Sequence, residues 1–136
     1  MNRQTDFAVF LNRFLTDYLP NKRGSSPKTI DSYRYSFIFL IEYYEKSYRI
    51  TPDKLKLSDI TYEKIAKYFD WLQEEKQVSV STRNQRQAAV NSFVRFLMYE
   101  RPEYLNEYQR ILAIPVKKAP QKEISYLKTD GVAALM

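Results

Sequence analysis

Thr82, Arg83, Asn84, Gln85, Arg86 and Gln87 are six consecutive side chains that can all hydrogen-bond, and two of them are guanidinium groups. A guanidinium offers its donors in a planar fork that suits phosphate, and a carboxamide sets a donor beside an acceptor. A second polar group, Lys28, Thr29 and Ser32 with Tyr33 beside them, sits nearer the start of the chain. Each group follows a serine able to cap a helix, Ser26 in one case and Ser81 in the other. At a helix start the first backbone N–H groups lack partners and the helix dipole is positive. The chemistry these positions favour is the holding of a polar, anionic partner.

Nothing in the chain competes as a catalytic set. There is no Cys and no His, so thiolate chemistry, a disulfide framework, the usual near-neutral proton shuttle and the commonest metal ligand are all excluded. No Gly-rich phosphate loop, metal-ligand spacing or nucleophile elbow occurs. Glu74 and Glu75 are neighbours on a helix and cannot converge on one bond. The expectation is no cofactor, no metal and no small-molecule substrate.

The net charge of +6 is concentrated in blocks. Lys22, Arg23, Lys28 and Arg34 face one acid within residues 21–35, and Arg83, Arg86, Arg95 and Arg101 face one acid within 81–101. Arg110, Lys117, Lys118 and Lys122 have no acid among them, whereas residues 42–75 carry eight acids against six bases. A fold that brings the basic blocks to one side would attract an anionic polymer. The longest apolar run, Phe37 to Ile41, is far too short to span a membrane, and no signal-like start is visible, so a cytoplasmic setting is expected.

The elements that must position these groups read as helices. Two glycines and the absence of hairpin turns favour an all-α protein. Phe7, Phe10, Leu11, Phe14, Leu15, Tyr18 and Leu19 form the apolar face of a first helix capped at Thr5 or Asp6 and stopped by Pro20. Ser26-Pro27 opens a second, with Ile30, Tyr33, Phe37, Leu40, Ile41 and Tyr44 facing the core up to about Tyr48. On its other side stand Tyr35, Ser36, Phe39 and Tyr43, the last expected in solvent. Leu55, Leu57 and Ile60 tuck a connection against the bundle, and Thr61 caps a third helix that runs to about Lys76. The fourth, capped at Ser81, changes character along its length: polar at first, then apolar at Ala89, Val90, Phe93, Phe96 and Leu97. A shorter fifth helix ends near Leu112. The chain divides into a helical domain (1–113), a basic linker (114–125) rich in Pro and Lys, and the opening of a further domain (126–136), which suggests a piece of a longer protein.

Taken together, these starts are similar to the N-terminal core-binding domain of tyrosine recombinases, the phage-type integrases and Xer-like enzymes. Ser26-Pro27-Lys28-Thr29-Ile30 followed by Tyr33 resembles the opening of that family's second helix. Ser81-Thr82-Arg83-Asn84-Gln85-Arg86 with Phe93, Phe96 and Leu97 resembles its fourth, and Tyr126-Leu127-Lys128-Thr129 the start of its catalytic domain. Departures fall at Gln87 and Asn91, where relatives more often carry an apolar residue and a basic or His residue. The resemblance implies a SAM-like bundle of four main helices and a shorter fifth that clamps double-stranded DNA at a recombination site, its second and fourth helices toward the major groove. By that resemblance Lys28, Thr29, Ser32, Tyr33, Ser81, Thr82, Arg83, Asn84, Arg86 and Gln87 would contact DNA, with Lys117 and Lys118 along the backbone. Arg83, Arg86 and Lys28 would mostly neutralise phosphate, and Asn84 and Gln87 have amides able to read an adenine edge.

The resemblance also implies that strand exchange belongs to a C-terminal domain not contained in this sequence, so that the fragment is no enzyme and none of its 12 tyrosines is the nucleophile. Its partners would be DNA and other recombinase protomers on DNA, with a monomer when free and no membrane. Two other readings fit parts of the sequence. One is a helical protein-interaction domain, suggested by the surplus of aromatics. The other is a stand-alone helix-turn-helix regulator, suggested by the short turn at Gln77 to Val80.

Overall fold

Helix α1 (Asp6–Arg13) begins where the Thr5 hydroxyl accepts the Ala8 N–H at 3.2 Å, in a computed structural model that describes residues 4–118. It continues directly as a π-helix over Phe14–Lys22. Pro20 therefore does not stop it, contrary to expectation. In an α-helix the proline ring strikes the carbonyl four residues back, whereas the wider π turn pairs groups five apart and accommodates the ring. The winding ends at Gly24, whose φ of +64° is the left-handed conformation glycine adopts without strain. Arg23 N–H donates to the Tyr18 carbonyl (2.9 Å) and Ser25 N–H to that of Leu19 (2.8 Å), closing the end.

Helix α2 (Pro27–Tyr48) has the start and length its sequence predicts. Phe37, Leu40 and Tyr44 are buried, and so is Tyr43, which the sequence placed in solvent. Its hydroxyl donates to the Lys64 carbonyl at 2.7 Å and lies 2.8 Å from that of Tyr48. The helix is covered on more than one side, so its buried arc is wider than one apolar stripe. Two 3₁₀ turns, Pro52–Lys54 and Leu57–Asp59, seat Leu55, Leu57 and Ile60 in the core as expected. The Asp6 carboxylate accepts the Leu57 N–H at 2.9 Å and ties this connection to the start of α1.

Helix α3 (Tyr62–Glu74) is capped by Thr61, which accepts the Lys64 N–H. Helix α4 (Val80–Glu100) is capped by Ser79, two residues before the serine the sequence pointed to. Both serines precede an apolar-periodic run, but Thr82 three residues on lets Ser79 bond its N–H and its hydroxyl together. A 3₁₀ turn (Pro102–Tyr104) leads into α5 (Leu105–Leu112). Among the described residues there is no strand.

Helix α4 packs against α2, α3 and α5. Ala89, Val90, Phe93, Phe96 and Leu97 are all buried, as their spacing requires. Phe14, fully enclosed, stands within 5.2–6.2 Å of the rings of Tyr18, Tyr33, Phe37, Phe93 and Phe96. Burying one such side chain stabilises by about 1.5–3 kcal/mol. A second aromatic group lies between α2 and α3, where the sole tryptophan, Trp71, sits 5.5 Å from the Tyr43 ring and 6.2 Å from that of Tyr68.

Candidate nucleic-acid interface

The starts of α2 and α4 are built on one local device. Ser26 accepts the Thr29 N–H at 3.2 Å and donates to the Thr29 hydroxyl at 3.1 Å. Ser79 does the same with Thr82, at 3.1 and 3.2 Å. Ser26-Pro27-Lys28-Thr29 and Ser79-Val80-Ser81-Thr82 are thus equivalent turns, each capping one of the four N–H groups a helix start leaves unpaired.

Lys28, Thr29 and Ser32 are exposed in the first turns of α2. Tyr33 is half-buried, with its ring stacked on Phe14 at 6.2 Å and nearly parallel, which makes it a packing residue as much as a surface one. Thr29, Ser32, Ser36 and Phe39 follow one another at spacings of three and four and share a face of α2. Arg86 reaches that face from α4. Its Nη1 donates to Ser36 Oγ at 3.3 Å, and its guanidinium lies 5.0 Å from the Phe39 ring centre. The polar start of α4 therefore meets the middle of α2, through Arg86, and not its first turn. Ser81 is exposed and Thr82 half-buried at this end.

Arg83 and Gln87 are placed differently from their expected contact role. Arg83 is only 4% exposed and Gln87 is fully enclosed. The Arg83 guanidinium lies 4.9 Å from the centre of the Phe69 ring and donates from Nη1 to Asn84 Oδ1 at 2.9 Å and to Gln87 Oε1. Burial pushes its pKa below the ordinary arginine value, with the charge of Asp70 acting in the opposite direction. Gln87 Nε2 in turn donates to the Ile114 carbonyl at 2.8 Å. Asn84 holds the next residues: Nδ2 donates to the Lys117 carbonyl at 2.7 Å, and Oδ1 accepts the Lys117 N–H at 3.1 Å. Lys117 and Lys118 are exposed beside it. The tie from α4 to the segment after α5 has no signature in the sequence. The burial of Arg83 and Gln87 does have one, since Arg83, Gln87, Val90, Val94 and Leu97 continue a single three-and-four stripe.

Among the described residues no group of side chains could hold a metal ion, and no helix is long and apolar enough to cross a membrane. A groove lined by Arg95, Met98, Tyr99, Leu105 and Leu112 lies toward the other end of α4 and contains no acid–base pair. The expected linker (114–125) is described only to Lys118, and the expected opening of a further domain (126–136) lies outside the described residues, as does Lys122.

The described residues form an all-α bundle with two identically capped helix starts and exposed cations beside them. The chain matches the family described as phage integrase, N-terminal SAM-like domain, over residues 11–101, and it belongs to that family. Two proteins of Sinorhizobium fredii (strain NBRC 101917 / NGR234) that carry the name integrase/recombinase are similar to it over its full length. They are y4rC, 34% identical, and y4rD, 29% identical. The chain spans 41% and 48% of their respective lengths. No solved structure matches it significantly.

Proposed function

We propose that this domain binds double-stranded DNA at a recombination site, as the core-binding part of a site-specific tyrosine recombinase. The observation that carries the reading is the Ser-x-x-Thr start used twice in a chain of this family, with Lys28, Thr29 and Ser32 leading along α2 to Arg86 on α4. In this reading α2 and α4 face the major groove. Lys28 and Arg86 neutralise phosphates, while the hydroxyls of Thr29, Ser32, Ser81 and Thr82 fix orientation. Lys117 and Lys118 follow the DNA backbone as the chain leaves the domain (1–113) and enters the linker (114–125). Arg83 and Gln87 support this surface from inside. Strand exchange itself is the work of a catalytic domain that begins near residue 126 in the parent protein, and further protomers assemble on the DNA.

Fluorescence titration of the chain against a duplex carrying the parent element's recombination site tests this. Affinity should fall steeply with salt, with log K losing about 0.9 per decade of salt for every phosphate neutralised, and Lys28→Ala should reduce that slope by about one phosphate's worth. Absence of binding at low salt, or binding indifferent to salt, overturns the reading.

A second reading, a protein-interaction surface, is favoured by one observation. Tyr35 and Ile38 stand 62% and 54% exposed on α2, more than a helix facing only water requires. A stable oligomer in size-exclusion chromatography, together with no DNA binding, would establish it.

A further inference from the structure

Asn84 has both ends of its carboxamide engaged by one residue, donating to the Lys117 carbonyl at 2.7 Å and accepting the Lys117 N–H at 3.1 Å. This is the pairing a neighbouring β-strand would offer to an extended segment, supplied here by a side chain. One turn further along α4, Gln87 fixes the Ile114 carbonyl at 2.8 Å, and its own orientation is set by Arg83. Pro115 lies between the two held residues and has no N–H to offer. The chain leaving α5 is thus fastened at Ile114 and again at Lys117, by two residues that face the same way from one helix.

We propose that Asn84 and Gln87 are positioning residues that staple the outgoing segment to α4. They set its direction and hold the ammonium groups of Lys117 and Lys118 at the same end of the bundle as Ser81 and Thr82. The Asn84 Oδ1 already accepts from the Lys117 N–H and from Arg83 Nη1, so the acceptor half of a two-bond pairing with an adenine edge is filled. Gln87 is enclosed altogether. Arg83 serves the staple too, since its guanidinium donates to both amide oxygens and so turns the two NH₂ groups toward the outgoing backbone. Sequence preference in this region must arise elsewhere, while the staple governs where the backbone-neutralising lysines stand. The part of this inference that concerns DNA rests on the reading given above. The staple itself does not.

Hydrogen exchange on the free chain tests the staple without DNA. The Lys117 amide should exchange slowly in the wild type and at least tenfold faster in Asn84→Ala, while amides in the middle of α4 keep their protection. A Lys117 amide that exchanges at the unprotected rate in the wild type overturns the inference, and so does one that Asn84→Ala leaves unchanged. Salt-dependent titration on duplex DNA then tests the purpose. If the staple aims the lysines, Asn84→Ala should flatten the salt slope as the double variant Lys117→Ala/Lys118→Ala does, and adding it to that double variant should change nothing more. An unchanged slope with altered preference among DNA sequences would make Asn84 a base reader and overturn its positioning role. If the wild type fails to bind DNA, the recombinase reading fails, and the exchange result alone decides the staple.

Discussion

Gln87 lies out of reach of solvent, yet its side chain makes two hydrogen bonds, one from the guanidinium of Arg83 and one to the carbonyl of Ile114. Removing its amide leaves a buried guanidinium short of an acceptor and a carbonyl short of a donor. An unsatisfied buried polar group costs about 1–3 kcal/mol, and hydrogen bonds to charged groups stand at the upper end. Gln87→Ala should therefore lower unfolding stability by about 2 kcal/mol in urea, whereas Arg83→Leu/Gln87→Leu, which removes both polar partners together, should cost less than the two single changes added. A Gln87→Ala variant as stable as the wild type would mean that the pair contributes nothing. In the sequence the types of these residues and their positions point in opposite directions. Their types suggest a surface, but their positions, Gln87 three residues before Val90 and Arg83 four before Gln87, continue the core stripe. Helical phase, set by where the helix packs, outweighs residue type where an arginine can cover itself with an aromatic ring and two amide oxygens.

At the scale of the element, the capped starts were the most legible part of the chain and also the source of a small error. Ser26 and Pro27 fix the first turn of α2 by chemistry that needs no tertiary contact. Ser79 and Ser81 compete for the same job in α4, and the outcome turns on Thr82, which supplies Ser79 with both an N–H and a hydroxyl partner. Ser79→Ala and Ser26→Ala should each cost about 1 kcal/mol of stability, the usual worth of a serine cap. Ser81→Ala, at an exposed helical position, should stay within about 0.5 kcal/mol. Thermal melts followed by circular dichroism separate the two serines, and the reverse order of effects would return the cap to Ser81. The π-helical continuation of α1 through Pro20 was not legible. Proline ordinarily signals a stop, and a change from pairing four residues apart to five leaves no mark in apolar spacing over so short a stretch.

Across the whole molecule, aromatic rings fill the core, and four tyrosines among them, Tyr43, Tyr44, Tyr68 and Tyr108, are buried. Burial pushes each phenol above its ordinary range, because the enclosed site disfavours the charged phenolate. A raised folded-state pKa means the unfolded chain ionises first, at about pH 10. The stability these groups contribute is therefore complete below about pH 10 and is lost as pH rises beyond it. Melting temperature should then fall as pH rises past that point, and the phenolate absorbance of these four tyrosines should appear only with the loss of helix. Ionisation of all the tyrosines at the ordinary pKa with the helices intact would contradict this. The all-α class was legible here from composition and spacing together, and Tyr43 was the exception. Its side of α2, shared with Tyr35, Ser36 and Phe39, reads as a solvated face, but α3 covers Tyr43 and offers the Lys64 carbonyl to its hydroxyl.

Trp71 gives the bundle a built-in optical reporter. The only indole in the chain is packed against Tyr43 and Tyr68 in the seam between α2 and α3, while the rings around Phe14 contain no indole. Light absorbed by those two tyrosines passes to the indole. Tyr43 stands across the seam from the indole, so its transfer falls when α2 and α3 part, whereas Tyr68 shares α3 with Trp71 and keeps its transfer for as long as that helix persists.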